Sequence, residues 1–89
     1  NEVQQSKFLL YGALDALHVQ YWRSDANFVL ARFAGDTERL VQRLADRGVF
    51  VRDRSGEAGC AGCLRMTTGI VHDTRALIAA LEEALCDEA

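Results

Sequence analysis

The run Asn27-Phe28-Val29-Leu30-Ala31-Arg32-Phe33 is almost continuously apolar and is bounded on both sides by turn-forming residues. Such a stretch reads as a strand covered on both faces, because a strand with one face in water alternates apolar and polar positions. Any fold for this chain must therefore supply other elements to bury it. The residues that follow provide one. Asp36 offers a side-chain cap for a helix whose apolar stripe is Leu40, Val41 and Leu44, and Gly48 is its stop. A second strand-like run, Val49-Phe50-Val51-Arg52-Asp53-Arg54, comes next. The helix between the two runs is long enough for a right-handed crossover joining parallel strands.

Residues 55–62 contain three glycines and no apolar periodicity, and read as a loop. Cys63-Leu64-Arg65-Met66-Thr67-Thr68 reads as a third strand returning antiparallel to the second, and Gly69 ends it. Asp73 is the expected cap of a last helix that buries Leu77, Ile78, Leu81 and Leu85. At the other end, Leu10, Ala13, Leu14 and Leu17 share one stripe of a helix spanning Val3 to Leu17, with Gln4, Gln5, Lys7 and Asp15 mostly off it. His18-Val19-Gln20-Tyr21-Trp22 reads as a short edge strand or an extended linker, with a turn at Ser24-Asp25-Ala26. The order helix, strand, helix, strand, strand, helix predicts an α/β layer fold, an α+β sandwich in which helices pack on a small mixed sheet.

Composition narrows the function classes. A chain of 89 residues holds one domain, taken as 1–89, and 49% hydrophobic with 26% charged residues excludes disorder. Thirteen acidic against ten basic residues, a net charge of -3, argue against a nucleic-acid partner. No apolar run is long enough to span a membrane, and the first residues have no signal-peptide pattern. Three cysteines, Cys60, Cys63 and Cys86, are too few for a secreted disulfide scaffold, so the reading is a soluble cytoplasmic protein. The absence of an initiator methionine before a helical pattern suggests a piece of something longer.

Several residues carry candidate chemistry. Cys60-Ala61-Gly62-Cys63 has the spacing of a redox pair or half a zinc site, but His18, His72 and Cys86 do not form a second half. The first thiol also precedes a strand instead of opening a helix, so the bland reading is an inward Cys63 and an incidental Cys60. Glu82-Glu83 reads as a solvated helix face, and the glycines of the loop lack phosphate-binding spacing. Arg52 and Arg65 are different. Each sits in an apolar strand, on strands expected to be neighbours, and a charge so placed needs a partner. That partner is either an internal carboxylate such as Asp53 or an external carboxylate or phosphate.

Three blocks then stand out: Ser24 to Leu30, Arg47-Gly48-Val49-Phe50-Val51-Arg52-Asp53-Arg54-Ser55, and Gly62-Cys63-Leu64-Arg65-Met66-Thr67-Thr68-Gly69. In order and separation they resemble the C-terminal portion of histidinol-phosphate aminotransferases, over nearly the whole chain. The resemblance implies the small C-terminal domain of a fold-type I enzyme dependent on pyridoxal 5'-phosphate. Such an enzyme exchanges an amino group between L-histidinol phosphate and 2-oxoglutarate, giving imidazole acetol phosphate and L-glutamate in histidine biosynthesis. It also implies that Arg52 and Arg65 hold the anionic end of the substrate. No catalytic residue is expected in this segment. The one lysine, Lys7, lies upstream of every matched block, so the cofactor is expected on the remainder of the chain, in a parent that is a homodimer. Where the family continues with a proline and two glutamates, Ile70-Val71-His72-Asp73 stands here, which moves the expected cap to Asp73. Related aromatic aminotransferases and threonine-phosphate decarboxylases resemble this region too, and a stand-alone ligand-binding or interaction domain derived from the enzyme is the other reading.

Overall fold

The computed structural model describes residues 1–23 and 25–87. The turn expected at Ser24-Asp25-Ala26 lies partly outside them, since Ser24 is not among the described residues. Helix α1 spans Glu2–Ala16, and the Asn1 side chain caps it by accepting the Gln4 N–H at 3.0 Å. Leu10 and Leu14 are its buried anchors. Lys7, expected off the stripe, is buried as well, because it shares the spacing of Leu10 and Leu14 around the helix; its ammonium donates to the Ala26 carbonyl at 3.1 Å.

The exit from α1 is a Schellman turn. Val19 N–H donates to the Leu14 carbonyl at 2.9 Å and His18 N–H to that of Asp15 at 3.1 Å, with His18 in the left-handed region at φ 59°. Strand β1, Gln20–Trp22, then settles the choice between edge strand and linker in favour of the strand. Strand β2 is Phe28–Arg32. Helix α2, Thr37–Asp46, opens as expected, with Asp36 accepting the Arg39 N–H at 3.2 Å. It closes with the same turn as α1, this time with Gly48 in the left-handed position.

Strand β3 is only Arg52–Asp53, shorter than the apolar run that predicts it. The Val49 N–H is already engaged by Leu44 at the end of α2, at 2.9 Å, so the first part of the run finishes the helix instead of joining a ladder. Strand β4 is Cys63–Thr67, and the sheet order is β1-β2-β4-β3 with every ladder antiparallel. Strands β2 and β3 do run in one direction, as a crossover requires, but β4 lies between them. Its inner residues Leu64 and Met66 are fully buried, which makes it a central strand.

Helix α3 spans Val71–Asp87 and begins before the expected cap. The Ile70 carbonyl accepts the Thr74 N–H at 3.0 Å, and the Val71 N–H is satisfied by Glu2 Oε1 of α1, also at 3.0 Å. Asp73 is therefore a first-turn residue, where its charge favours the helix dipole. Leu10 and Leu14, Leu40 and Leu44, and Leu77 and Leu81 meet Val29, Ala31, Leu64 and Met66 in one cluster. All three helices thus lie on one face of the sheet. Full cover of β2 does not occur: Phe28, Leu30 and Arg32 alternate with its buried residues on the uncovered face and are half-buried.

Candidate functional site

The uncovered face of the sheet is where the arginines gather. Arg52 of β3 and Arg65 of β4 are direct cross-strand partners, and Leu30 lies opposite Arg65 on its other side. Residues in that relation point the same way, with Cβ atoms about 4.5–5.5 Å apart. Two like charges so placed repel each other and call for a counter-charge. Asp53 is not that counter-charge. As the next residue along β3 it faces the opposite side of the sheet, and its Oδ1 accepts the Ser55 N–H at 2.9 Å. Hydrogen bonds from the Ser55 side chain and backbone, and from Thr37, hold its carboxyl below the usual carboxylate range. Arg47 pairs with Glu83 and Arg54 with Glu57, and among the described residues neither Arg52 nor Arg65 has an ion pair.

What does hold Arg65 is aromatic. Its guanidinium lies 5.0 Å from the centre of the Phe28 ring, on β2. Arg32, on the same face, lies over Trp22 at 5.2 Å and spends its donors on loop carbonyls, Ala61 at 2.9 Å and Gly59 at 2.8 Å. The face thus carries one arginine used to pin a loop and two whose donors point to no carboxylate of the described chain. Past the end of the β3–β4 ladder lies a separate cleft of about 410 Å³, with Phe50 and Ile70 exposed at its rim and Asp73 in its wall; neither Arg52 nor Arg65 lines it. The arrangement can bind an oxyanion: guanidinium groups present paired N–H donors to a carboxylate or phosphate.

The remaining sequence candidates are scattered. His18 sits at the end of α1 and His72 is an exposed residue of the first turn of α3. Glu83 of the acidic pair is exposed and bound to Arg47. Cys60 and Cys63 are free thiols, and among the described residues no group of three or more Cys, His, Asp and Glu comes together. Phe28 and Arg32 were missed as parts of this surface. Their roles follow from the pairing of β2 with β4, which are separated by a helix, a strand and a loop.

Comparison with known proteins gives the surface a context. No family model matches the chain. Histidinol-phosphate aminotransferase of Yersinia pestis (strain Pestoides F) is 35% identical over 83 residues, covering 91% of this chain, and that of Saccharomyces cerevisiae is 40% identical over 79 residues, covering 82%. The chain is homologous to a segment of the histidinol-phosphate aminotransferases. It spans only about a fifth of those relatives, 22% and 20% of their lengths. The solved histidinol-phosphate aminotransferase of Sinorhizobium meliloti, in complex with pyridoxal-5'-phosphate, superposes with a TM-score of 0.85 at 26% identity over 99% of this chain and 25% of its own. L-threonine-O-3-phosphate decarboxylase of Porphyromonas gingivalis gives 0.80 at 28% identity, over 92% and 26%. The α+β fold is thus shared with a segment of these longer enzymes, one of them solved with pyridoxal-5'-phosphate bound.

The residues of this chain do not themselves fit the cofactor. Pyridoxal phosphate needs a lysine for its aldehyde and a cup of donors for its phosphate. The one lysine, Lys7, is 8% exposed and directed at the Ala26 carbonyl on the helix side of the sheet, whereas Arg52 and Arg65 are on the other side. Among the described residues no helix is long and apolar enough to cross a membrane.

Proposed function

We propose that this chain is the substrate-anion-binding C-terminal domain of a pyridoxal-phosphate-dependent transaminase of the histidinol-phosphate type. Residues 1–89 form one domain of a longer enzyme, a cytoplasmic homodimer, whose other parts hold the cofactor. Arg52 and Arg65 grip the anionic end of the substrate: the phosphate of histidinol phosphate in one half-reaction, a carboxylate of glutamate or 2-oxoglutarate in the other. The observation that carries this reading is their direct cross-strand register, with no ion pair to either among the described residues. Two arginines in direct cross-strand register repel each other, and an incoming dianion that draws both guanidinium groups to itself relieves that repulsion. Their contribution is to fix the far end of the substrate, so that its reacting carbon is delivered in one orientation to the cofactor.

The isolated chain is inactive in this reading, because Lys7 is committed to the fold. Mixing it with pyridoxal phosphate should give no absorbance band that disappears on changing Lys7→Met. Such a band would overturn the assignment of the cofactor to the rest of the enzyme. In the full-length transaminase, Arg65→Ala and Arg52→Ala should each lower kcat/KM for histidinol phosphate roughly 10- to 100-fold, the effect of losing a charge-assisted hydrogen bond. An unchanged kcat/KM in both would remove the role.

The similarity to a threonine-phosphate decarboxylase supports a second reading, since its substrate by name also ends in a phosphate and the same two arginines would suit it. Release of carbon dioxide from threonine phosphate, without amino transfer to 2-oxoglutarate, would select that alternative.

A further inference from the structure

The loop before β4 holds two thiols in a stiff frame. Cys60 and Cys63 are the first and last residues of a turn closed by the Cys63 N–H and the Cys60 carbonyl at 2.9 Å. Gly62, its third residue, has φ 78°, the backbone a type II turn requires there. No other residue fits: a Cβ at this position would lie 2.5 Å from the Phe33 carbonyl oxygen. Phe33 N–H binds the Gly62 carbonyl at 2.8 Å, and Arg32, opposite Cys63 in the ladder, holds the carbonyls of Ala61 and Gly59. The turn is therefore pinned to the sheet from two sides.

The turn brings the two Cα atoms within the span of a disulfide. The ends of a β-turn lie within about 7 Å, and disulfides span Cα separations of about 4.4–6.8 Å. The Cys63 sulfur stands 4.0 Å from the Ala61 carbonyl oxygen, so it lies beside its own turn and not among the helices. Cys60 is half-exposed and Cys63 is fully buried, which gives one thiol access to solvent and shields the other.

We propose that Cys60 and Cys63 form a reversible dithiol–disulfide site whose oxidant is a small external disulfide. The Cys60 sulfur attacks one sulfur of that molecule; a mixed disulfide forms, the external S–S bond breaks, and one external thiol leaves with the Cys60 proton. The Cys63 sulfur then attacks the Cys60 sulfur, and the second external thiol leaves with the Cys63 proton. Two electrons pass from the protein thiols to the external disulfide, and one S–S bond replaces another. The product staples the head of the strand that carries Arg65. The site stands on the turn geometry and does not depend on the anion-binding role.

The test uses the chain with Cys86→Ser, equilibrated in glutathione buffers of stepped disulfide content, acid-quenched, alkylated and cut with trypsin. Cleavage after Arg54 and Arg65 leaves both thiols on one peptide. The expected result is a single transition in which this peptide loses two hydrogens and both alkylation sites together, reversed by a dithiol reductant. In a further Cys60→Ser variant, Cys63 should stay unmodified by glutathione while the protein is folded. A peptide that stays fully alkylated at every ratio, or one that stops as a glutathione adduct on Cys60, would overturn the proposal. So would ready glutathione addition to Cys63 in the Cys60→Ser variant.

Discussion

On the inner face of the sheet, Val29, Ala31, Leu64 and Met66 are fully buried against leucines from all three helices. One residue further along the same strands, the outer face presents Leu30, Arg32, Arg65 and Arg52, with Trp22 and Phe28 beneath two of the guanidinium groups. The backbone hydrogen bonds are shared by both faces, so only side chains distinguish them. The inner face contributes burial at roughly 25 cal/mol per Å² of apolar surface. The outer face keeps charges that burial would penalise, and sets two of them in cross-strand register with no ion pair to either among the described residues. The contrast separates the residues that make the domain fold from those available to bind something.

Substitutions on the two faces should behave accordingly. Leu64→Ala, on the inner face, should lower stability by about 2–5 kcal/mol in urea unfolding, through lost burial and a residual cavity. A loss under about 1 kcal/mol would mean that the inner face is not the stabilising one. Arg32→Ala should show that the outer face is not uniform. Removing two hydrogen bonds to loop carbonyls and the packing over Trp22 should destabilise by about 1 kcal/mol and speed amide exchange at residues 59–62. Arg65→Leu, two rows away, should leave stability within about 0.5 kcal/mol or raise it, because it relieves the repulsion with Arg52. A loss comparable to that of Leu64→Ala would mark Arg65 as structural and would dissolve the contrast.

The smallest effect concerns acid. Asp53 has a lowered pKa in the folded chain, so its ionised form contributes stability above the ordinary carboxylate value, and that contribution fades as pH falls through the lower folded value. Asp53→Asn should therefore narrow the stability difference between neutral and strongly acid solution in thermal melts. An unaltered pH dependence would show that the bonds to Ser55 and Thr37 do not favour the charged form.

Legibility of the sequence varied with the range of the interaction. Asp36 and Gly48 marked the ends of α2 because a cap acts on residues three or four positions away. The equivalent turn after α1 went unrecognised, since His18 fills the left-handed position where a glycine is the usual sign. The start of α3 was misplaced because its first N–H is satisfied by Glu2, far away in the chain. The neighbouring arginines were anticipated, since β3 and β4 are joined by one loop. The phenylalanine beneath Arg65 was not, because it arrives from a strand on the far side of α2.

By itself the sequence determined the elements and the composition of each strand: periodicity, caps and turn residues act locally and leave their pattern in neighbouring positions. It also placed an arginine in each of two apolar strands. Tertiary structure alone decided that β4 is central, that it pairs with β2, and that all three helices cover one side. Those choices depend on which side chains can be buried together, and burial is a property of the assembled layers. It is that one-sided packing which leaves Arg52 and Arg65 paired on an open face.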